Sequence, residues 1–263
     1  MQIKNPHIHV PFGRFLEFAP LCRENGFALE LYISAPDMDA IDSASGRKDF
    51  FSFPADILKL LDYGPELSVH APFMDLSPGA VDEKVRAVTT ARFEKTLEMA
   101  AALGANTIVF HSGYEKWKYS LRTDIWLEKS VLTWGPLIEK AWKSGIRIAI
   151  ENIFEDSPEN LAALFERFQG AKNFGLCFDT GHFNLFSKSL TLEDWLGPLQ
   201  KHILELHLHD NDGSIDAHRP IGEGTFPFGR LFEALKDREG IVFTLEAHSK
   251  EDVFKSLENL KNF

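Results

Sequence analysis

The sequence predicts a closed (β/α)₈ barrel forming a single domain over residues 1–263. Short apolar segments rich in β-branched or aromatic residues recur eight times, as expected of buried parallel strands. Segments of helical pattern separate them, and about 260 residues is the usual size of such a barrel. A doubly wound open sheet is the alternative, but the sequence lacks its Gly-rich dinucleotide-binding turn.

The predicted elements alternate along the whole chain. The strands cover Ile8–Val10, Ala28–Ser34, Leu67–His70, Thr107–His111, Arg147–Glu151, Phe174–Asp179, Ile203–Asp210 and Ile241–Glu246. The helices cover Phe12–Glu24, Pro54–Asp62, Val81–Leu103, Thr123–Lys143, Pro158–Phe168, Leu192–Lys201, Pro227–Leu235 and Glu251–Leu260. The segment after the second strand, Ser34–Phe50, is predicted as a loop with an acidic start.

Composition and charge argue against several classes of function. The formal net charge of −11 disfavours broad binding to a phosphate backbone. No segment approaches the roughly 20 apolar residues of a membrane span. Cys22 and Cys177, the two cysteines, make no disulfide framework. The chain is therefore expected to be cytoplasmic and not bound to a membrane.

Imidazoles and carboxylates stand at the ends of the predicted strands, where the active site of a (β/α)₈ barrel lies. Strands three to eight and one following loop supply His70, His111, Glu151, Asp179, His182, His207, His209, Asp216, His218, Glu246 and His248. In the stretch "CFDTGH", Asp179 ends a strand and His182 is expected in a loop. His207 and His209 share a strand face because side chains alternate along a strand.

This ring of side chains predicts a metal site. Imidazoles and carboxylates suit Zn²⁺, Mn²⁺, Co²⁺ or Fe²⁺. Without a cation, clustered carboxylates repel one another, which raises their pKa values. A single histidine at a strand end more often has a structural role. The placement of so many histidines and carboxylates at one rim favours a role as metal ligands. His9 is expected either to line the site or to serve packing. Glu30 can face the barrel interior, which makes it a candidate substrate contact.

The motifs "HAPF", "FHSG", "IEN", "DTGH", "HLHD", "DAH", "PIGEG" and "LEAH" together resemble one superfamily over nearly the whole chain. It is the xylose isomerase-like TIM barrels. These include sugar and sugar-phosphate isomerases and epimerases, and the endonuclease IV group, also called AP endonuclease family 2. The motifs are specific only in combination.

The resemblance implies two different ligand sets. In the isomerase and epimerase branch, one divalent metal is held by residues matching Glu151, Asp179, His207 and Glu246, and the two glutamates act as acid and base. In the endonuclease IV branch, three zinc ions are held by residues matching His70, His111, Glu151, Asp179, His182, His207, Asp216, His218 and Glu246. His209 stands where relatives often have Asn or Lys, which makes it a candidate substrate contact.

Two functions therefore stay open. The favoured one is a sugar or sugar-phosphate isomerase or epimerase that uses Glu151 and Glu246 and one to three Zn or Mn ions. It is favoured because the chain is acidic and because this activity is frequent among relatives of this size. The alternative is a multi-zinc phosphoesterase, favoured by the complete nine-residue set. A sugar- or metal-binding module without catalysis has no support in the sequence.

The expected partner is a small-molecule sugar or phosphoester. Duplex DNA is an unlikely partner, because the segment after "ENIF" lacks the longer Gly-rich, DNA-facing loop of the endonucleases. The substrate, the metal and the oligomeric state stay open.

Overall fold

Eight parallel strands form a closed barrel, as predicted. A computed structural model describes residues 3, 5–44 and 53–263. Within these residues the strands pair in chain order and β1 also pairs with β8. They are β1 His7–Pro11, β2 Ala28–Tyr32, β3 Leu67–His70, β4 Thr107–His111, β5 Arg147–Glu151, β6 Phe174–Asp179, β7 Ile203–Leu208 and β8 Val242–Leu245.

Helices lie between the strands in sequence. In the described part of the chain they are α1 Phe15–Asn25, α2 Ala35–Ala44, α3 Ala55–Leu60, α4 Glu83–Leu103, α5 Thr123–Lys143, α6 Glu159–Arg167, α7 Thr180–Phe186, α8 Leu192–Leu199, α9 Phe228–Ala234 and α10 Lys250–Asn259. Short 3₁₀ turns cover Phe12–Arg14, Gln200–His202 and Leu260–Asn262. Across the described ranges, no helix combines the length and apolarity that crossing a membrane requires.

Several local predictions were wrong. Helix α2 occupies most of the predicted loop after β2, because Ser34 and Asp37 form a reciprocal capping box at its start. The rest of that predicted loop, residues 45–50, lies outside the described residues. His182 lies in helix α7, not in a loop, because the Asp179 carboxylate caps that helix. Strands β2 and β7 end at Tyr32 and Leu208, each two residues earlier than predicted.

The apolar core lies between the barrel and its helices. Its largest fully buried side chains include Trp126, Trp134 and Trp195. Inside the barrel, by contrast, Val109, Ala149 and Cys177 form a small separate apolar cluster. Some buried polar groups there are hydrogen-bonded to each other: Thr244 Oγ1, for example, donates to Glu205 Oε1 at 2.6 Å. The barrel interior thus carries polar side chains toward its carboxyl end, where the candidate site lies.

Candidate metal centre

The carboxyl ends of the strands bring all nine predicted metal-ligating residues to one rim. The strand register sets His111 beside Glu151 and Asp179 beside His207. A cavity of about 780 Å³ opens over this rim. Seven of the nine line it: His70, His111, Glu151, His182, Asp216, His218 and Glu246. The other two, Asp179 and His207, are fully buried beneath them.

Glu151, Asp179, His207 and Glu246 form the deepest cluster, with four candidate ligand atoms within 4.8 Å of one another. His207 Nδ1 lies 3.2 Å from Glu246 Oε1, 3.5 Å from Glu151 Oε1 and 3.8 Å from Asp179 Oδ2. This nitrogen is buried and has no hydrogen-bond partner. A buried polar atom without a partner is costly. One nitrogen facing three carboxylates is a donor set that fits a divalent cation.

Glu151 also belongs to a second cluster. One of its oxygens, Oε2, lies 3.1 Å from His70 Nε2 and 3.2 Å from His111 Nε2. Its other oxygen faces His207 and His182. A carboxylate that offers one oxygen to each side is suited to bridge two cations.

His182, Asp216 and His218 form a third cluster nearer to solvent. His182 Nε2 and His218 Nε2 lie 3.4 and 3.1 Å from the same oxygen, Asp216 Oδ2. The other ring nitrogens donate to backbone carbonyls, His182 Nδ1 to Asn152 and His218 Nδ1 to Glu246. This is how ligand histidines are normally oriented, with one nitrogen held by an acceptor and the other free for an ion.

The carboxylates of the site raise the pKa values of several histidines that face them. Burial lowers the pKa of His207, but the carboxylates of Glu246, Glu30 and Glu151 outweigh it and raise this pKa well above its ordinary value. Burial likewise lowers the pKa of His218, yet Asp216 and Glu246 raise it to about 9. Imidazolium groups thus neutralise the carboxylates when no cation does. A cation that binds here would displace these protons.

His209 was predicted as a substrate contact, and the structure places it beneath the cavity. It is 1% exposed, and its Nε2 lies 3.0 Å from Asp179 Oδ2. Its ring stacks on that of His218 with centroids 3.9 Å apart and planes 3° apart. A ligand nitrogen binds in the plane of its ring, and these two planes do not meet. In this arrangement His209 and His218 therefore cannot bind the same ion.

Gly181 makes room for the His209 ring. A Cβ atom at Gly181 would lie 2.0 Å from His209 Cε1. The glycine of "DTGH" is therefore needed by an imidazole 28 positions further along the chain. The spacing of the motif alone does not reveal this contact.

We predict that Gly181→Ala displaces the His209 ring from Asp179 and lowers the free energy of unfolding by about 1–3 kcal/mol. Urea denaturation of the metal-free protein measures this. Gly229→Ala is the matched control, since its new methyl group meets only Phe263 at an ordinary 3.8 Å; it should be neutral or slightly stabilising. An equal loss in both variants would contradict the packing explanation.

Asp210 is a further residue of the site whose role the sequence analysis missed. Its buried carboxylate accepts backbone N–H bonds from Asn211, Gly222, Gly224 and Phe226 at 2.9–3.1 Å. Its own backbone pairs with Arg219 in both directions. This closes the loop that carries Asp216 and His218. The sequence does contain a pattern that indicates this role, namely an acidic residue after β7 followed by the glycine-containing segment "IGEG".

The other two predicted substrate contacts differ in position. His9 lines the cavity, whereas Glu30 is fully buried and is not among the lining residues. Aromatic side chains near the cavity, which sequence reasoning did not assign, form stacked or edge-on pairs: Tyr32 with Phe73 and Phe154 with Phe186. An aromatic wall around convergent polar groups is typical of small-molecule sites.

The chain is similar to several known proteins. The family model described as xylose isomerase-like TIM barrel matches residues 21–263. The uncharacterized protein MJ1311 of Methanocaldococcus jannaschii is 32% identical over 216 residues, which cover 79% of this chain and 73% of that protein.

Two solved structures are also similar over almost the full length. The TTHB071 protein from Thermus thermophilus, soaked with ZnCl₂, is 28% identical with a TM-score of 0.77, covering 98% of this chain and 97% of that one. A D-tagatose 3-epimerase-like protein is 26% identical with a TM-score of 0.75, covering 97% and 96%.

Proposed function

Because the chain belongs to the xylose isomerase-like TIM barrel family, we propose that it is a divalent-metal-dependent sugar or sugar-phosphate isomerase or epimerase. The observation that carries the proposal is the unpartnered His207 Nδ1, which faces the carboxylates of Glu151, Asp179 and Glu246. The similarity to a D-tagatose 3-epimerase-like protein supports the sugar as substrate.

These four residues would hold the ion. When bound, a divalent cation of this kind polarises a carbonyl and an adjacent hydroxyl group of the substrate. Zinc or manganese suits this mixed set of nitrogen and oxygen donors.

Glu151 and Glu246 are the proposed acid and base. Both line the cavity and come from different strand ends, so a substrate beside the ion would contact both. Burial raises the pKa of Glu246, but His207, His9 and His218 outweigh it and lower this pKa to about 2. The Glu246 carboxylate is therefore ionised and can accept the proton α to the substrate carbonyl.

Burial also raises the pKa of Glu151, but His111 and His207 outweigh it and hold this pKa well below its usual range. Glu151 would therefore return a proton to the substrate only after taking one up from a facing imidazolium such as His182.

A multi-zinc phosphoesterase is the second candidate, and one observation favours it. His182 and His218 converge on Asp216 through their Nε2 atoms, a third potential ion site that single-metal isomerase chemistry does not require. The substrate of such an enzyme would be a small phosphoester, since the net charge of −11 disfavours duplex DNA.

The direct test combines metal content with proton exchange. Plasma mass spectrometry of tag-free protein should find about one Zn or Mn per chain under the isomerase proposal and about three Zn under the phosphoesterase alternative. In D₂O, a panel of ketoses and ketose phosphates should take up deuterium beside the carbonyl, detected by NMR. Absence of bound metal after growth and dialysis with Zn²⁺ and Mn²⁺ would contradict both candidate functions.

A double substitution separates the two candidates. We predict that His182→Ala/His218→Ala keeps one ion and most of the proton exchange, because neither residue belongs to the deepest cluster. A three-metal hydrolase would instead lose an ion and its phosphoesterase activity. Loss of all exchange with the deepest ion still bound would contradict the assignment of catalysis to Glu151 and Glu246.

A further inference from the structure

Glu30 lies inside the barrel directly behind the deepest cluster. It is 0% exposed, and it neighbours His9 in the register of β1 and β2. Its Oε1 lies 2.8 Å from His9 Nδ1 and its Oε2 lies 3.3 Å from His207 Nε2. Each carboxylate oxygen thus faces one ring nitrogen of a different histidine.

An ionised carboxylate can only accept hydrogen bonds. His207 must therefore present Nε2–H to Glu30, and His9 must present Nδ1–H. This directs His207 Nδ1 at Glu151, Asp179 and Glu246, and it leaves His9 Nε2 as the ring nitrogen not bound to Glu30. The same carboxylate sets the tautomer of a metal-cluster histidine and of a cavity-lining one.

His207 differs in this respect from two other histidines of the rim. His70 and His218 each present one ring nitrogen to a backbone carbonyl, those of Ala71 and Glu246. A backbone carbonyl orients a ring but adds no full charge. For His207 the acceptor is a carboxylate, and such a partner both orients the ring and raises the basicity of its other nitrogen.

We propose that Glu30 is a positioning residue that fixes the tautomers of His207 and His9 together, so that metal binding and the substrate-facing wall depend on one buried carboxylate. This inference rests on the proposed function, since it assumes an ion at His207. It replaces the expectation that Glu30 touches substrate, which its complete burial behind both rings does not support.

The test is the metal affinity of Glu30→Met, which keeps the approximate volume and removes both acceptors. Competition with a chromogenic chelator should show Zn²⁺ or Mn²⁺ binding weakened by about 10–100-fold. Glu155→Gln is the matched control. That carboxylate is also buried, but it is bonded by Ser112, by the Ile153 N–H and by Asn160 rather than by a histidine, so affinity should change by no more than about twofold.

A second readout does not depend on affinity. Imidazole ¹⁵N–¹H correlation spectra of the Zn²⁺-loaded protein should show His207 protonated at Nε2 and His9 at Nδ1. His9 Nδ1 also lies 3.3 Å from Glu246 Oε1, an oxygen of the cluster that the ion would occupy. In Glu30→Met at saturating Zn²⁺, His9 should therefore lose this single tautomer. If Glu30→Met fails to fold, Glu30→Gln keeps one acceptor and one donor at the site, and it should weaken binding by a smaller factor and change one of the two tautomers.

The outcomes are distinguishable from failure of the proposed function. Wild-type affinity and unchanged His9 and His207 spectra in the Glu30 variant would overturn this inference and leave the proposed function standing. Failure of the unsubstituted protein to bind any divalent cation would overturn both. Equal weakening in Glu30→Met and Glu155→Gln would also overturn it, since loss of any buried carboxylate would then suffice.

Discussion

Replacing Glu151 with glutamine is expected to lower the proton-exchange rate by about 10³-fold while the fold is retained. Glu151 is 1% exposed and within 3.5 Å of ring nitrogens from His70, His111, His182 and His207. The amide has no negative charge to face these imidazoles. The substitution also removes a candidate metal ligand, which is at the same time one of the two proposed proton-transfer groups. Glu246, the other proposed proton-transfer group, also faces four imidazoles.

The measurement is deuterium uptake by the best ketose substrate, followed by NMR, with metal content determined on the same sample. Glu115→Gln is the matched control, since Glu115 lines the same cavity but stands apart from the three clusters; its rate should stay within about threefold of the parent protein. Glu246→Gln should behave like Glu151→Gln. A Glu151→Gln variant that retains full exchange would remove Glu151 from the catalytic assignment.

The second large effect is expected on stability. Asp210→Ala leaves four backbone N–H groups of the loop without the carboxylate that binds them. Hydrogen bonds to a charged group are stronger than neutral ones, and buried donors left unpaired are costly. The free energy of unfolding should fall by about 3 kcal/mol or more.

Urea denaturation of the metal-free protein measures this loss. Asp212→Ala is the control within the same loop. Asp212 pairs with Arg219 and accepts hydrogen bonds from Ser214. The side chains of Asp212 and Arg219 are about 40% exposed, so water can replace the lost partners and the loss of stability should be much smaller than for Asp210→Ala.

The Asp210 carboxylate closes the loop that carries Asp216 and His218. The variant without it should therefore also bind less metal at the cluster of His182, Asp216 and His218. A stable Asp210 variant with an intact third site would show that other contacts hold the loop.

Much of this molecule could be predicted from local sequence patterns. Alternating apolar and helical segments predicted a closed barrel of eight strands, and the barrel topology then predicted that the side chains at the strand ends would meet. His70, His111 and Glu151 therefore lie together as expected. A strand end is a local feature of the sequence, and the fold converts it into a position on the rim.

Other features depend on contacts between residues far apart in the chain, and only the tertiary structure decided them. The Glu30 carboxylate meets His207, 177 positions later, so an inward-facing residue that suggested a substrate contact lies behind the site instead. Gly181 is required by the His209 ring, and Asp210 by amides up to 16 positions away. Hydrophobic periodicity records which face of an element is buried. It does not record which side chain lies opposite a given residue. The identity of that opposite side chain determines how each histidine ring is oriented and which ring nitrogen can bind an ion.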